Sequence, residues 1–369
     1  MTNAVDKFSD IRAYNDDEIQ PAIQRVIKND EFINAIISFR FSKIAKFAGF
    51  ILKPLLRRYF LYKWGSINSI DEMQRVVGGY MEHMIASTTT GFTYSGLDKL
   101  DPEQNYLFVS NHRDIAMDPA FVNWALYSEN FKTVRIAIGD NLLSKPYVSD
   151  LMRMNKSFIV RRSVSGVREM MKSLAHLSDY IFTSLQDESN IWIAQKEGRA
   201  KDGFDKTEPA IIKMFYVNGK KQKISFSDYI NTLNIVPVAV SYEFDPCDQH
   251  KAQELYDKAK FGEYKKSQFE DIESIVRGIT GQKGRVHVAF GQPLKGEFSD
   301  AEMVAQEIDR QIYRNYHLHP SNLIAAKEDL LSIATADKDR FKARLDEIKP
   351  ELQEIVLKMY ANPVKNHLG

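Results

Sequence analysis

The chain has 369 residues, with 50 lysines and arginines against 49 aspartates and glutamates. That length holds one large α/β domain with helical additions, or two domains, and the near-zero charge balance argues against a general nucleic-acid binder. The single cysteine, Cys247, excludes an intrachain disulfide and a thiolate metal cluster, and fits a reducing, cytoplasm-facing location.

In chain order, residues 1–20 are polar and acidic, without a basic start leading into an apolar run, so no signal peptide is read there. No window holds the roughly 18 uncharged apolar residues of a membrane-spanning helix. From Phe32 to Trp64 the chain mixes aromatic and aliphatic residues (Phe39, Phe41, Ile44, Phe47, Phe50, Leu55) with Arg40, Lys43, Lys46, Lys53, Arg57, Arg58 and Lys63, and contains no acid. Basic amphipathic helices of this composition lie in a membrane interface; a helix pair packed on the main domain is the alternative. Pro54 is expected to break or kink the segment. Residues 71–90 read as a helix interrupted at Gly78–Gly79, and 91–94 as an edge strand.

Tyr106–Val109 is a short apolar run that reads as a buried strand. It leads into Asn111-His112-Arg113-Asp114-Ile115-Ala116-Met117-Asp118 and then an apolar helix, with Asp118 expected as its N-cap and Pro119 as its first helical residue. Polar groups at such strand ends face the crevice where open α/β sheets bind ligands. A neutral imidazole there can take a proton from an alcohol while a carboxylate fixes its tautomer. Asp118 is the first partner expected for His112, and Asp114 the alternative. The structural alternative is a helix cap and a solvated Arg113–Asp114 pair.

Further strands are expected at 133–138, 158–162, 191–194, 235–240 and 285–290. Residues 166–185 form the clearest helix: Val167, Met170, Leu174, Leu177, Ile181 and Leu185 define one buried face. Strand, twenty-residue helix and strand make a βαβ unit, so this part of the sheet should be parallel. The strand at 191–194 runs into the charged loop Gln195-Lys196-Glu197-Gly198-Arg199-Ala200-Lys201. Helices are expected over 208–217, through most of 251–278, and from a capping-box pattern at Ser299–Glu302 to about Tyr316. Residues 321–360 read as a helical hairpin turning near Ala336–Asp337. The fold class is therefore α/β, a mixed and largely parallel sheet flanked by helices. Its segments are a helical N-terminal region (1–90), an α/β domain (91–320) and a C-terminal helical hairpin (321–369).

Four blocks in this order resemble the glycerolipid acyltransferases, the family of glycerol-3-phosphate and 1-acylglycerol-3-phosphate acyltransferases. After the lead-in Ser95–Leu100 they are Ser110-Asn111-His112 through Asp118, Phe158-Ile159-Val160-Arg161 with Arg162, Glu197-Gly198-Arg199, and Ile235-Val236-Pro237-Val238. The family normally has four residues between its histidine and aspartate, and this chain has five. Its third block departs from the usual Phe-Pro-Glu-Gly-Thr-Arg, so the family's arginine position falls to Arg199 first and Lys201 second.

The resemblance implies a glycerol-3-phosphate acyltransferase-like fold and acyl transfer from acyl-CoA or acyl carrier protein, as co-substrate, to a phosphorylated glycerol acceptor. It implies no cofactor and no metal. His112 would act as general base with Asp118. Arg161, Arg162, Arg199 and Lys201 would bind the acceptor phosphate, with ion pairing as the alternative for Arg161 and Arg162. Glu197 would orient the acceptor hydroxyl or hold an arginine, and Gly198 would let the backbone approach ligand or simply make the turn. Main-chain N–H groups of Ala120 or Phe121 are the expected oxyanion donors. The place of action is the cytoplasmic side of a membrane, peripherally bound. A CoA-independent transacylase or hydrolase on the same fold, and a catalytically weakened lipid-binding scaffold, are the competing readings.

Overall fold

The computed structural model describes residues 6–40, 45–143, 145–187, 189–267, 269–329 and 331–368. The chain divides into two compact units. The smaller contains Met1–Tyr80 and Arg135–Ser173; the larger contains Met81–Val134 and Leu174–Gly369. Residues 91–320, read from sequence as the α/β domain, contribute to both.

The smaller unit begins with α1 (Asp16–Lys28), α2 (Asp30–Arg40) and α3 (Ala45–Trp64). Helix α1, which carries Pro21 within it, is not among the elements expected from sequence. It nevertheless buries Ile19, Ile23, Val26 and Ile27 with Phe32, Ile33 and Phe60 in this unit's core. Pro54 does not break α3. It lies inside a continuous helix, where tertiary packing tolerates the one hydrogen bond that proline removes. Phe41, Lys43 and Ile44 of the expected amphipathic segment lie outside the described residues, as do the side chains of Phe39, Lys46 and Phe47. Along the rest of α3, Ile51, Leu55, Tyr59 and Tyr62 are exposed, Tyr62 by 82 %. At 100° per residue these four share one face, bordered by Arg58 and Lys63.

Helix α4 (Ile70–Thr88) runs unbroken through Gly78–Gly79 and is followed by β1 (Thr89–Ser95), β2 (Leu107–Ser110) and α5 (Met117–Ser128). Next come β3 (Arg135–Gly139), α6 (Pro146–Met154) and β4 (Ser157–Val160) in the smaller unit, where β3 and β4 pair in parallel. Helix α7 (Val167–Gln186) precedes β5 (Ile191–Ala194), α8 (Pro209–Lys221), α9 (Phe226–Thr232), β6 (Ile235–Tyr242), α10 (Asp248–Phe261), α11 (Glu270–Thr280), β7 (Gly284–Phe290) and α12 (Ala301–Asn315). The capping-box pattern at the start of α12 resolves onto Asp300, not Ser299: the Asp300 carboxylate accepts from Met303 N–H at 2.9 Å. The C-terminal segment is not a two-helix hairpin. It forms α13 (Pro320–Ala326), α14 (Thr335–Asp346) and α15 (Gln353–Leu368), and α14 begins where the turn was expected.

In the larger unit the strand order is β1-β7-β6-β2-β5. β1 pairs with β7 in parallel, β2 pairs in parallel with both β5 and β6, and β6 runs antiparallel to β7. This is the mixed, largely parallel, helix-flanked sheet expected from sequence. All four residues of β2 and all eight of β6 are buried, as strands covered on both faces must be. Ser110 lies opposite Ala194 on one side and Val238 on the other. That register brings the segments leaving β2, β5 and β6 to one edge of the sheet. Among the described residues no helix is long and apolar enough to cross a membrane.

Candidate active site

The site is built on the chain leaving β2. Asn111 is fully buried and extends the ladder with its side chain: its Nδ2 donates to the Val240 carbonyl at 3.0 Å, and its Oδ1 accepts from Val240 N–H at 2.7 Å. The next residue, His112, therefore sits at a fixed point on the sheet edge. Its Nδ1 lies 2.9 Å from Asp118 Oδ2. A carboxylate accepts hydrogen bonds, so this contact puts the proton on Nδ1 and leaves Nε2 as the basic nitrogen. The imidazole ring stands edge-on to Trp192 of β5, with centroids 5.8 Å apart.

Asp118 is fully buried and its bonds account for both oxygens. Oδ2 also accepts from the main-chain N–H groups of Arg113 (2.6 Å) and Asp114 (2.9 Å). Oδ1 accepts from the Tyr242 hydroxyl at 2.7 Å. Asp118 is thus not the helix cap expected from sequence. It lies inside the first turn of α5 and reaches back over the preceding loop. The capping falls to Asp114, whose Oδ1 accepts from Ala116 N–H (3.0 Å) and Met117 N–H (2.9 Å). The five residues between His112 and Asp118 are accommodated in this way: one acid closes the helix, and the other faces the histidine. Of the two acids weighed as partners for His112, the hydrogen bond goes to Asp118.

Burial, reinforced by the neighbouring Asp118 carboxylate, pushes the Asp114 carboxyl up to about 6. Burial and the Asp118 and Asp114 carboxylates hold the Tyr242 phenol well above its usual range, so it stays a donor. Burial pushes the Cys247 thiol up to about 12, which disfavours the thiolate.

The loop after β5 lies against the same turn. Gln195 N–H donates to the Ser110 carbonyl and Ala200 N–H to the His112 carbonyl, both at 2.8 Å. These bonds bring the Glu197-Gly198-Arg199 block beside His112. Gly198 has φ +74°, a left-handed conformation that glycine adopts without strain. Arg199 is half-buried and its guanidinium is 3.4 Å from Ser274 Oγ. Lys201 pairs with Glu254 of α10 at 2.9 Å. Glu197 is exposed.

Arg161 and Arg162 belong to the smaller unit. They follow β4, which ends at Val160 and not at 162 as expected. Asp140 takes the main-chain N–H groups of Arg162 (3.1 Å) and Ser163 (3.2 Å), which turns the chain away from the ladder. Arg161 pairs with Asp10 at 2.7 Å, the ion pair weighed as its alternative role. The expected oxyanion donor at Ala120 is already committed, because its N–H bonds the Ala116 carbonyl at 3.3 Å.

Several residues that hold the turn were not identified from sequence. The Arg113 side chain is buried, pairs with Asp205, donates to the Gly203 carbonyl at 3.2 Å and lies over the Tyr316 ring. Lys251 Nζ donates to the Arg113 carbonyl at 2.6 Å and pairs with Asp245. Tyr242 had a usable signal: it ends a strand parallel to β2, so it must reach the same sheet edge as His112. Among the described residues, no cluster of three or more His, Cys, Asp or Glu could hold a metal ion.

Residues 91–240 match the Acyltransferase family model. The glycerol-3-phosphate acyltransferase of Pseudomonas fluorescens (strain SBW25) is 26 % identical over 213 residues, covering 56 % of this chain and 23 % of that protein. The chain thus spans about a quarter of its relative's length. A solved structure similar to it is the 1-acyl-sn-glycerophosphate (LPA) acyltransferase PlsC from Thermotoga maritima, at 14 % identity and TM-score 0.39, covering 76 % of this chain and 94 % of that one. The likeness of this chain to acyltransferases thus lies over residues 91–240.

Proposed function

We propose that this protein moves a fatty acyl group from an acyl thioester, acyl-CoA or acyl carrier protein, to a hydroxyl of glycerol 3-phosphate or 1-acylglycerol 3-phosphate. The observation that carries the reading is the 2.9 Å contact between His112 Nδ1 and a fully buried Asp118 carboxylate at the sheet edge. With Nδ1 committed, Nε2 takes the acceptor's hydroxyl proton as the oxygen attacks the thioester carbonyl. The C–S bond then breaks, and the leaving thiolate recovers the proton from the imidazolium. The thioester is already activated, so no covalent enzyme intermediate is needed. General-base help of this kind contributes about 10²–10⁴-fold in rate.

Arg199 and Lys201 are the cations beside the turn suited to the acceptor phosphate. A guanidinium binds phosphate through two parallel hydrogen bonds. Glu197 and Gly198 shape the loop that presents them. The exposed apolar stripe of α3, bordered by Arg58 and Lys63, supports peripheral binding to a membrane surface, where the lipid acceptor and product reside.

The test is a panel of phosphorylated glycerol and lysolipid acceptors with a radiolabelled acyl thioester, run on the parent protein and on His112→Ala. Thioester-dependent transfer that the substitution abolishes supports the reading. Near-parental turnover by folded His112→Ala protein overturns the mechanism.

A further inference from the structure

We infer that Tyr242 is a positioning residue for acyl transfer, its hydroxyl holding the Asp118 carboxylate in the orientation that directs His112. This rests on His112 and Asp118 being the catalytic pair. Four donors converge on the Asp118 carboxylate, and they differ in kind. The Arg113 and Asp114 N–H groups and His112 Nδ1 all address Oδ2, and all come from the turn itself. Among the described residues Tyr242 alone addresses Oδ1, and it comes from a different element, β6.

The two oxygens turn together about Cβ–Cγ, so a donor on Oδ1 resists that rotation in addition to the donors on Oδ2. Tyr242 is itself fixed, because β6 is paired through its last residue, Tyr242 lying opposite Val286 of β7. Its ring also meets the Phe121 ring of α5 edge-on at 5.8 Å. The hydroxyl therefore ties the acid to the central sheet by a path independent of the turn.

Tyr242, Asp245, Tyr316 and Arg113 line a cavity of about 20 Å³, room for about one water. The charged and titratable groups around the phenol are Asp118 and Asp114 from the turn, Arg113 beside them, Asp245 just past the end of β6, Tyr316 following α12 and Tyr360 of α15. Apart from Arg113 and the two tyrosines these are acids, and Arg113 pairs with Asp205. The Tyr242 phenol is the neutral donor that faces Oδ1.

The experiment compares Tyr242→Phe with the parent protein. Losing the donor should lower kcat about tenfold and leave the acceptor KM nearly unchanged. It should also move the acidic limb of the kcat/KM pH profile upward, because a carboxylate with one donor fewer holds an imidazolium more tightly. The His112 Nδ1 proton, seen by NMR and identified by its loss in His112→Ala, should shift in the same variant. Placing 3-fluorotyrosine at position 242, a stronger donor of nearly the same size, should move limb and resonance the opposite way and keeps the test alive if Tyr242→Phe does not fold.

A pH limb and a resonance that stay in place in both variants overturn the inference, whatever happens to kcat. A resonance that moves while His112→Ala retains parental turnover separates the cases: the hydrogen bond stands, and the catalytic reading on which its role depends does not.

Discussion

No methyl group fits between Gly278 of α11 and the Asp114 carboxylate, since a Cβ built on Gly278 would lie inside contact distance of both carboxylate oxygens. Asp114 in turn caps α5 through Ala116 and Met117. Helix α11 thereby packs directly against the acid that caps α5. Gly278→Ala is expected to cost about 1–3 kcal/mol through overpacking, measured by urea unfolding, and to lower kcat as the turn shifts. An unchanged midpoint would show that Asp114 is free to move aside.

Asp114 also makes stability depend on pH. Its carboxyl is raised from 3.8 to about 6 in the folded protein. Between those values the folded state holds a proton that the unfolded state has released, so stability falls as pH rises through this window. Asp114→Asn keeps an oxygen for the two N–H groups and removes the titration. Its unfolding free energy should show a flatter slope than the parent's between pH 4 and about 6, by denaturant titration across that range.

Lys283 gives a slope of the opposite sign at alkaline pH. It is fully buried, donates to Thr88 Oγ1 at 2.9 Å and to the Gly281 carbonyl at 2.8 Å, and burial pulls its ammonium down from 10.5 to about 8. Between those values the unfolded chain binds the extra proton, so stability gains from this group as pH rises from about 8 toward 10.5. Lys283→Met should remove that gain. At pH 7 it should still cost about 1–3 kcal/mol, since it leaves buried acceptors without a donor. Thermal unfolding at pH 7, 8 and 10 reads both effects.

Asp118 carries two duties that substitution can separate. Asp118→Ala strips the acceptor from the Arg113 and Asp114 N–H groups and is expected to lose both stability and activity. Asp118→Asn retains a carbonyl oxygen for those groups. It should stay close to parental stability while acyl transfer falls about 10²-fold or more, because a neutral amide cannot stabilise an imidazolium. Equal turnover in Asp118→Asn and the parent would remove Asp118 from the chemistry.

The exposed face of α3 is testable without turnover. Leu55→Asp with Tyr62→Asp should sharply reduce co-sedimentation with vesicles containing anionic phospholipid, and Arg58→Glu should add a loss that salt diminishes. Binding that survives all three changes would place the membrane contact elsewhere on the molecule.

The sequence alone determined the parts with strong local signals. Apolar runs such as Leu107–Val109 and Ile235–Val240 mark buried strands because they are β-branched- or aromatic-rich and too short for a core helix. His112 and the Glu197-Gly198-Arg199 loop follow such runs directly, so their placement at strand ends was legible. Composition also set the limits of the cysteine chemistry. What only the tertiary structure decided is the division of labour between acids. Asp114 and Asp118 are both within reach of His112 along the chain, and local propensity made Asp118 the cap. The contrary outcome goes with the room that Gly278 leaves for Asp114 and with Tyr242, 124 residues from Asp118 in sequence, meeting the carboxylate. Those contacts follow from the register between β2 and β6 and from the packing of α11, which are non-local. No window of the sequence contains both partners of either contact, so their geometry appears only when the sheet is assembled.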